Sequence, residues 1–343
     1  MKHVKLVSFA VCAALVLALS GCTIKSPATV MTVDGTDIPA GLYLTYQLEA
    51  YNSAYSKVED KTNVLGGEID GVKATEWIHS ETVKKAQKYV YVAKAYDDAK
   101  LTMSDDDLAT LQDTVDSAYE QNGDWLASNG IGKESYYEYA LSASKENALY
   151  EAYAEDNTPT DSEIKAYMNE NYCHVNILYL PTTDTSYAAL ADDVIASIKE
   201  KAQKMVDDIN GGKEFADVAE DTLKAAFELG GREYADDTLS SYSTNTFVKS
   251  DSTSYSEAVL KQLFDAKAAG TAFLNEEATM PTIINKVENF ATDADFENYR
   301  DGVSSEMTYA DFEAATKAEA EKLSTTENSS AVSTYSPKKI KTA

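Results

Sequence analysis

From residue 76 to residue 172 the sequence runs through four helical patterns in succession, and that run sets the class of fold: mostly helical, with little room for sheet. From Glu76 to Lys100, Val83, Ala86, Val90 and Ala93 recur at helical spacing, with Tyr89 and Tyr96 flanking the same face. Ser104 with Asp107 forms a capping box for a second helix carrying Leu108, Leu111 and Val115, which is expected to close at Gly123. A third, rich in Tyr and Ala, runs from Glu134 to about residue 156. Asn157, Thr158 and Pro159 then break the pattern, and Thr160 with Glu163 caps a fourth helix reaching Tyr172.

Strand patterns are few. Thr29 to Val33 reads as a strand, Asp34-Gly35 as a tight turn, and a helix opens after Pro39. His174 to Leu180 is apolar and partly alternating, bounded by Pro181, and Thr282 to Val287 reads likewise. Between them Ile195, Ile198, Ala202, Met205 and Ile209 keep helical spacing up to Asn210-Gly211-Gly212, and a further helix runs from Phe215 to Ala226. Leu229 to Ser256 is polar and reads as loop, whereas Ala258 to Lys267 reads as helix, ended by Gly270. A weaker helical period returns at Phe296, Tyr299, Val303 and Met307. It fades toward Leu323 into a Ser/Thr-rich flexible tail containing Pro337, Lys338 and Lys339. Helices with a few interspersed strands define an α+β chain.

A length of 343 residues suggests two domains. Thirty basic against 57 acidic residues give a net charge of −27, which repels a phosphate backbone and excludes nucleic acid as partner. At 44% hydrophobic the chain can bury a sizeable core. Three Cys and three His cannot build a disulfide scaffold or a Cys/His zinc cluster of ordinary spacing. The runs Asp105-Asp106-Asp107, Asp192-Asp193, Asp207-Asp208 and Asp236-Asp237 lack the spacing of a calcium loop and read as caps and solvated faces. No metal and no cofactor are expected.

The N-terminus carries Lys2 and Lys5, an apolar run from Leu6 to Leu19 too short to cross a membrane, and then Ser20 and Gly21, so residues 1–21 read as a signal peptide. Leu19-Ser20-Gly21-Cys22 resembles the bacterial lipobox, which implies a diacylglyceryl anchor on Cys22. Two acyl chains suffice to hold a protein at a membrane. The chain is then expected at the outer face of a bacterial cell membrane, facing the extracytoplasmic space; the other reading is a plain signal peptide followed by a chance cysteine. Cleavage removes two lysines and no acidic residue, taking the net charge from −27 to −29. With Cys12 lost and Cys22 acylated, Cys173 has no partner for an internal disulfide.

Several segments, in order, resemble the PrsA/SurA-type extracytoplasmic foldases. VMTVDGTDIPAGLY is similar to the family's opening strand and turn. TEWIHSETVKKAQKYVYVAKAYDDAKLTMSDDDL resembles its first long helix, and TPTDSEIKAYMNENY the helix leading into a parvulin-type domain. HVNILYL resembles the first parvulin strand, KEKAQKMVDDINGGKEFADVAED its two helices, and AVLKQLFDAKAAG with MPTIINKV its last helix and strand. The resemblance implies a discontinuous helical chaperone lobe with an inserted parvulin-like α/β domain: residues 22–157 as the lobe, 158–289 as the insert, and 290–343 as a helix returning to the lobe plus the tail. It implies binding of unfolded or partly folded secreted polypeptides. It also implies isomerisation of X-Pro bonds, whose barrier of ~18–20 kcal/mol makes them slow enough to limit folding.

Parvulins set a pair of histidines against an apolar wall. His174 matches the first histidine, but the second position is Thr282. The wall, by resemblance, falls on Phe247, Leu263, Phe264 and Ile284. The loop from Leu229 to Phe247 keeps only Gly230-Gly231 and Phe247 of the family's pattern. Isomerase activity is therefore expected to be weak or lost; an active parvulin, or a non-catalytic surface-binding lipoprotein, are the alternatives. His79, beside Trp77 and Ile78, reads as structural. The tyrosines of the lobe, among them Tyr51, Tyr55, Tyr89, Tyr96, Tyr136 and Tyr139, divide between a groove for unfolded chains and ordinary packing.

Overall fold

The computed structural model describes residues 28–266 and 268–342. The signal segment and Cys22 lie outside the described residues. The described chain forms two compact units: one is built from both ends, up to Glu151 and again from Ala314, and the other is continuous, Ala152–Glu313.

In the first unit, β1 (Thr29–Val33) and β2 (Thr36–Pro39) form a hairpin. Its turn residues Asp34 and Gly35 both take positive φ, 48° and 82°, the geometry that selects Asp-Gly. Helix α1 (Ala40–Lys57) buries Leu42, Tyr43, Tyr46, Leu48 and Ala50. A two-residue hairpin follows, β3 (Glu68–Ile69) and β4 (Val72–Lys73), turning at Asp70-Gly71 by the same chemistry. Helix α2 (Ala74–Asp98) packs Ala74 and Ile78 against Ala50, Ala54 and Ile69. Helix α3 (Asp105–Ser128) starts at the expected box: Ser104 Oγ accepts from Asp107 N at 3.1 Å, and the Asp107 carboxylate accepts from Ser104 N. It does not close at Gly123. Glycine within a helix costs only about 1 kcal/mol, and the helix ends where Asn129 is followed by Gly130 at φ 78°. Helix α4 (Lys133–Asp156) leads into the second unit.

There, α5 (Asp161–Asn171), capped by Thr160 and Glu163, precedes β5 (Tyr172–Tyr179), α6 (Asp192–Asn210), α7 (Phe215–Leu229), α8 (Thr238–Tyr242), β6 (Ser243–Lys249), α9 (Glu257–Asp265), β7 (Ala272–Asn275) and β8 (Thr282–Lys286). The four strands pair antiparallel in the order β6-β5-β8-β7. Alternation along β5 sends Leu178 to one face, where α6 and α7 supply Ile198, Met205 and Leu223, and sends Cys173, Val175 and Ile177 to the other, under Leu263 of α9. The segment from Leu229 to Ser256 is thus not loop: it contains α8 and a seven-residue strand. Thr244 and Asn245 lie exposed on that edge strand and only Val248 is buried, so no apolar alternation marks it. Helix α10 (Asp293–Ala320) begins by packing Phe296 and Val303 on Ile164 and Met168, which places residues 290–313 in the second unit instead of the lobe.

The chain then returns. β9 (Thr325–Glu327) pairs with β1, completing a sheet of order β2-β1-β9, and α11 (Ser329–Thr334), capped by Asn328, buries Ala331 against Val30, Val33, Ile38 and Tyr43. The expected flexible tail is an ordered part of the fold. It escapes prediction because it is held mainly through its main chain. Gln87 Nε2 donates to Leu323 O at 2.8 Å, Gln47 Nε2 to Tyr335 O at 2.8 Å, and Asn328 N to Val30 O at 2.9 Å.

Candidate functional site

His174 enters on β5 and is enclosed on every side, 3% exposed. Its backbone N–H donates to Asn289 Oδ1 at 3.0 Å and its carbonyl accepts from Val287 N at 2.9 Å. In the ring, Nδ1 lies 2.9 Å from Glu288 O and Nε2 lies 2.8 Å from Asn245 Oδ1. The Glu288 carbonyl can only accept, so Nδ1 carries a proton. The ring also stacks on Phe247, its partner across β5 and β6, with centroids 4.4 Å apart and planes 10° from parallel. Phe247 meets Tyr299 edge-on at 4.8 Å. Both nitrogens and one face of this imidazole are therefore committed.

Thr282 does not join it. Thr282 pairs with Tyr179, five residues along β5 from His174, a distance of about 16 Å along the strand. Odd-numbered Tyr179 and even-numbered His174 also point to opposite faces of the sheet. Thr282 is buried, with Oγ1 donating to Met280 O at 2.8 Å. The remaining wall residues divide as well. Leu263 and Ile284 are closed core under α9, on the face away from His174 and Phe247. Phe264 borders a hollow of about 560 Å³ that Cys173, Lys286 and Asn289 also line. Burial pushes the Cys173 thiol above its usual pKa against the opposing pull of Lys286, which argues against a thiolate nucleophile.

Beside His174 stands a polar row that the sequence patterns do not flag. Asn245 donates through Nδ2 to Asn176 Oδ1 at 2.7 Å, and Asn285 sits directly across from Asn176 on β8. Asn285 Oδ1 is buried without a hydrogen-bond partner. Asparagine is disfavoured in strand interiors, so three at facing positions were the available signal.

A second cluster ties α5, β5, β6 and α10 together. Glu306 accepts from Tyr167 Oη at 2.6 Å, from Tyr172 Oη, and from Lys249 Nζ at 2.9 Å. Burial works against ionisation of Glu306, but the two hydroxyls and the ammonium outweigh it and hold the carboxyl below its usual range. Tyr167 in turn is pushed up to about 12, by burial and then by Glu306.

In the first unit His79 is structural. Its Nδ1 is hydrogen-bonded with Tyr43 Oη at 3.1 Å and its Nε2 faces Glu327 Oε1 at 3.1 Å, so it joins α1, α2 and β9. Tyr46 is buried and packs edge-on against Tyr139 at 5.8 Å, with Tyr136 6.1 Å beyond, so these lobe tyrosines cement α1 to α4, whereas Tyr55 is exposed. Among the described residues no group of three or more His, Cys, Asp or Glu converges as a metal would need, and no helix is long and apolar enough to cross a membrane.

Across most of its length the chain is similar to solved foldase proteins and SurA-like chaperones. The foldase protein PrsA from Lactococcus lactis matches over 91% of this chain and 99% of its own, at 14% identity and a TM-score of 0.30. PrsA from Bacillus subtilis matches over 77% and 89%, at 17% identity and a TM-score of 0.25. A SurA-like chaperone structure from Campylobacter jejuni, described for PEB4 and Cj1289, matches over 88% and 99%, at 12% identity and a TM-score of 0.28. No family model matches the chain, and no curated protein does.

Proposed function

We propose that this chain is a folding helper of the extracytoplasmic space, anchored through a lipid on Cys22, that binds unfolded secreted polypeptides and has little or no prolyl isomerase activity. The end-built unit serves as the chaperone lobe and the continuous unit as a parvulin-like domain without its catalytic pair. The ordered series of foldase-like segments supports the chaperone role. One observation carries the loss of catalysis. The single histidine at a parvulin position has both ring nitrogens bonded and its face stacked on Phe247, and among the described residues no second histidine faces it. A twisted prolyl amide needs free polar groups beside an open apolar wall, and the buried, fully engaged ring of His174 offers neither.

Two assays on one preparation test this: proline-limited refolding of a model substrate, and suppression of aggregation of a denatured one. Suppression with an unchanged refolding rate is expected, for the native chain and for His174→Ala alike. Catalysed refolding that His174→Ala abolishes would overturn the proposal.

A further inference from the structure

Ile340 and Lys341 are bound as a peptide is bound. Ile340 inserts its side chain into a pocket of Leu44, Leu48, Leu126, Ile131 and Tyr136, beside Trp125. The next residue, Lys341, is held only through its backbone: Trp125 Nε1 donates to its carbonyl at 2.9 Å, Asn129 Nδ2 donates to the same oxygen at 3.0 Å, and its N–H donates to Asn129 Oδ1 at 2.8 Å. One carboxamide thus matches both main-chain groups of a single residue. An apolar anchor beside main-chain capture is how extended peptides are commonly recognised. Pro337–Lys339 form a 3-10 turn ahead of the gripped residues, so the site reads an aliphatic side chain and the main chain of the residue after it, and ignores most of the surrounding sequence.

The charges agree. Residues 101–140, which supply most of the pocket, hold nine acidic residues against Lys133 alone, and Lys133 is paired with Asp116 at 2.8 Å. The segment seated there is Pro-Lys-Lys-Ile-Lys, with Lys338, Lys339 and Lys341 exposed.

We propose that the pocket of Trp125 and Asn129 is a polypeptide-binding site, filled at rest by the chain's own residues 337–341, and that its exchangeable occupant is a basic segment of an unfolded client with a branched aliphatic residue at the anchor position. This rests on the chaperone reading above. A tethered occupant competes at an effective concentration on the order of millimolar, so a client segment binds only when it matches this chemistry or engages the lobe elsewhere too. The apparent affinity is lowered by the fraction of time the pocket is filled.

The probe is the synthetic peptide Ser-Pro-Lys-Lys-Ile-Lys-Thr, titrated into the full chain carrying Trp77→Phe, so that Trp125 fluorescence reports alone. A second peptide is N-methylated at its last lysine. Ile340→Asp, which frees the tail, is expected to raise affinity for the first peptide at least tenfold. Adding Asn129→Ala is expected to cancel the gain, and N-methylation to reduce binding about tenfold, the equivalent of about 1.4 kcal/mol. Equal affinity of the Ile340→Asp and unsubstituted chains, or binding indifferent to Asn129 and to N-methylation, would overturn the proposal. Should Ile340→Asp melt the first unit, Lys341→Pro leaves the anchor and removes only the N–H; equal affinity there overturns it too. Aggregation suppression measured in parallel separates the two claims. Suppression without the peptide gain removes this site and leaves the chaperone reading, and the peptide gain without suppression does the reverse.

Discussion

The two units solve the same problem, burying their apolar side chains, with a different reach along the chain. The continuous unit stacks helices on both faces of a four-stranded sheet, so its core is apolar and mostly local in sequence: Leu178 and Leu180 lie under α6 and α7, and Val175 and Ile177 under α9. The end-built unit has three apolar clusters and ties its returning segment to them with side-chain amides that reach much farther along the chain, Gln47 to Tyr335, Gln87 to Leu323 and Asn129 to Lys341, than those of the continuous unit, Asn210 to Ala272 and Asn289 to Tyr172. The comparison teaches that a polar, low-complexity terminus can be structural when its partners recognise backbone. A unit closed in this way depends on a segment more than two hundred residues away from its partners.

Ending the chain after Lys322 should have the largest effect. It removes β9, α11, Ala331 and three of these amide contacts. The first unit is expected to lose its cooperative melting transition while the second keeps its own, as seen by calorimetry. If both transitions persist, the tail is ornament and the contrast between the units fails. The complementary cut is Ile177→Ala, which opens a cavity in the second unit at a residue 1% exposed between three strands. A loss of about 3 kcal/mol is expected, confined to the second unit's transition and read by denaturant midpoint.

This contrast also explains what the sequence could and could not tell. The capping boxes at Ser104 and Thr160 and the Asp34-Gly35 turn were legible because each is closed within a few residues. β6 was not, since an edge strand with exposed Thr244 and Asn245 has the composition of a loop and is defined only by pairing with β5, some seventy residues earlier. The tail failed for the same reason, its partners lying more than two hundred residues away. At the candidate site, the shortage of histidine could be counted, and it leaves only His174 for the pair that the resemblance implies. The fate of His174 was not. Its ring is bound by Glu288 O and Asn245 Oδ1, one a backbone atom and the other on the strand that reads as loop.

The smallest predicted effect probes the ionic cluster that joins α5, β5, β6 and α10 in the second unit. Glu306 is held below the ordinary carboxylate range because Tyr167, Tyr172 and Lys249 outweigh its burial. A carboxyl depressed in the folded state stabilises above its unfolded pKa, about 4.3 for Glu, and that contribution disappears as pH falls through the folded value. Glu306→Gln should therefore lower the second unit's stability at neutral pH, with the difference from the unsubstituted chain shrinking steadily as urea midpoints are taken from pH 7 down through the acid range. Because the cluster is partly solvated, with Lys249 and Glu306 side chains 33% and 31% exposed, about 1 kcal/mol at most is expected. A pH-independent difference would mean that Glu306 acts through packing and hydrogen bonding alone. The junction of α5, β5, β6 and α10 would then be held by shape and hydrogen bonding, as the first unit's returning segment is by its amides, and at this point the two units would differ less.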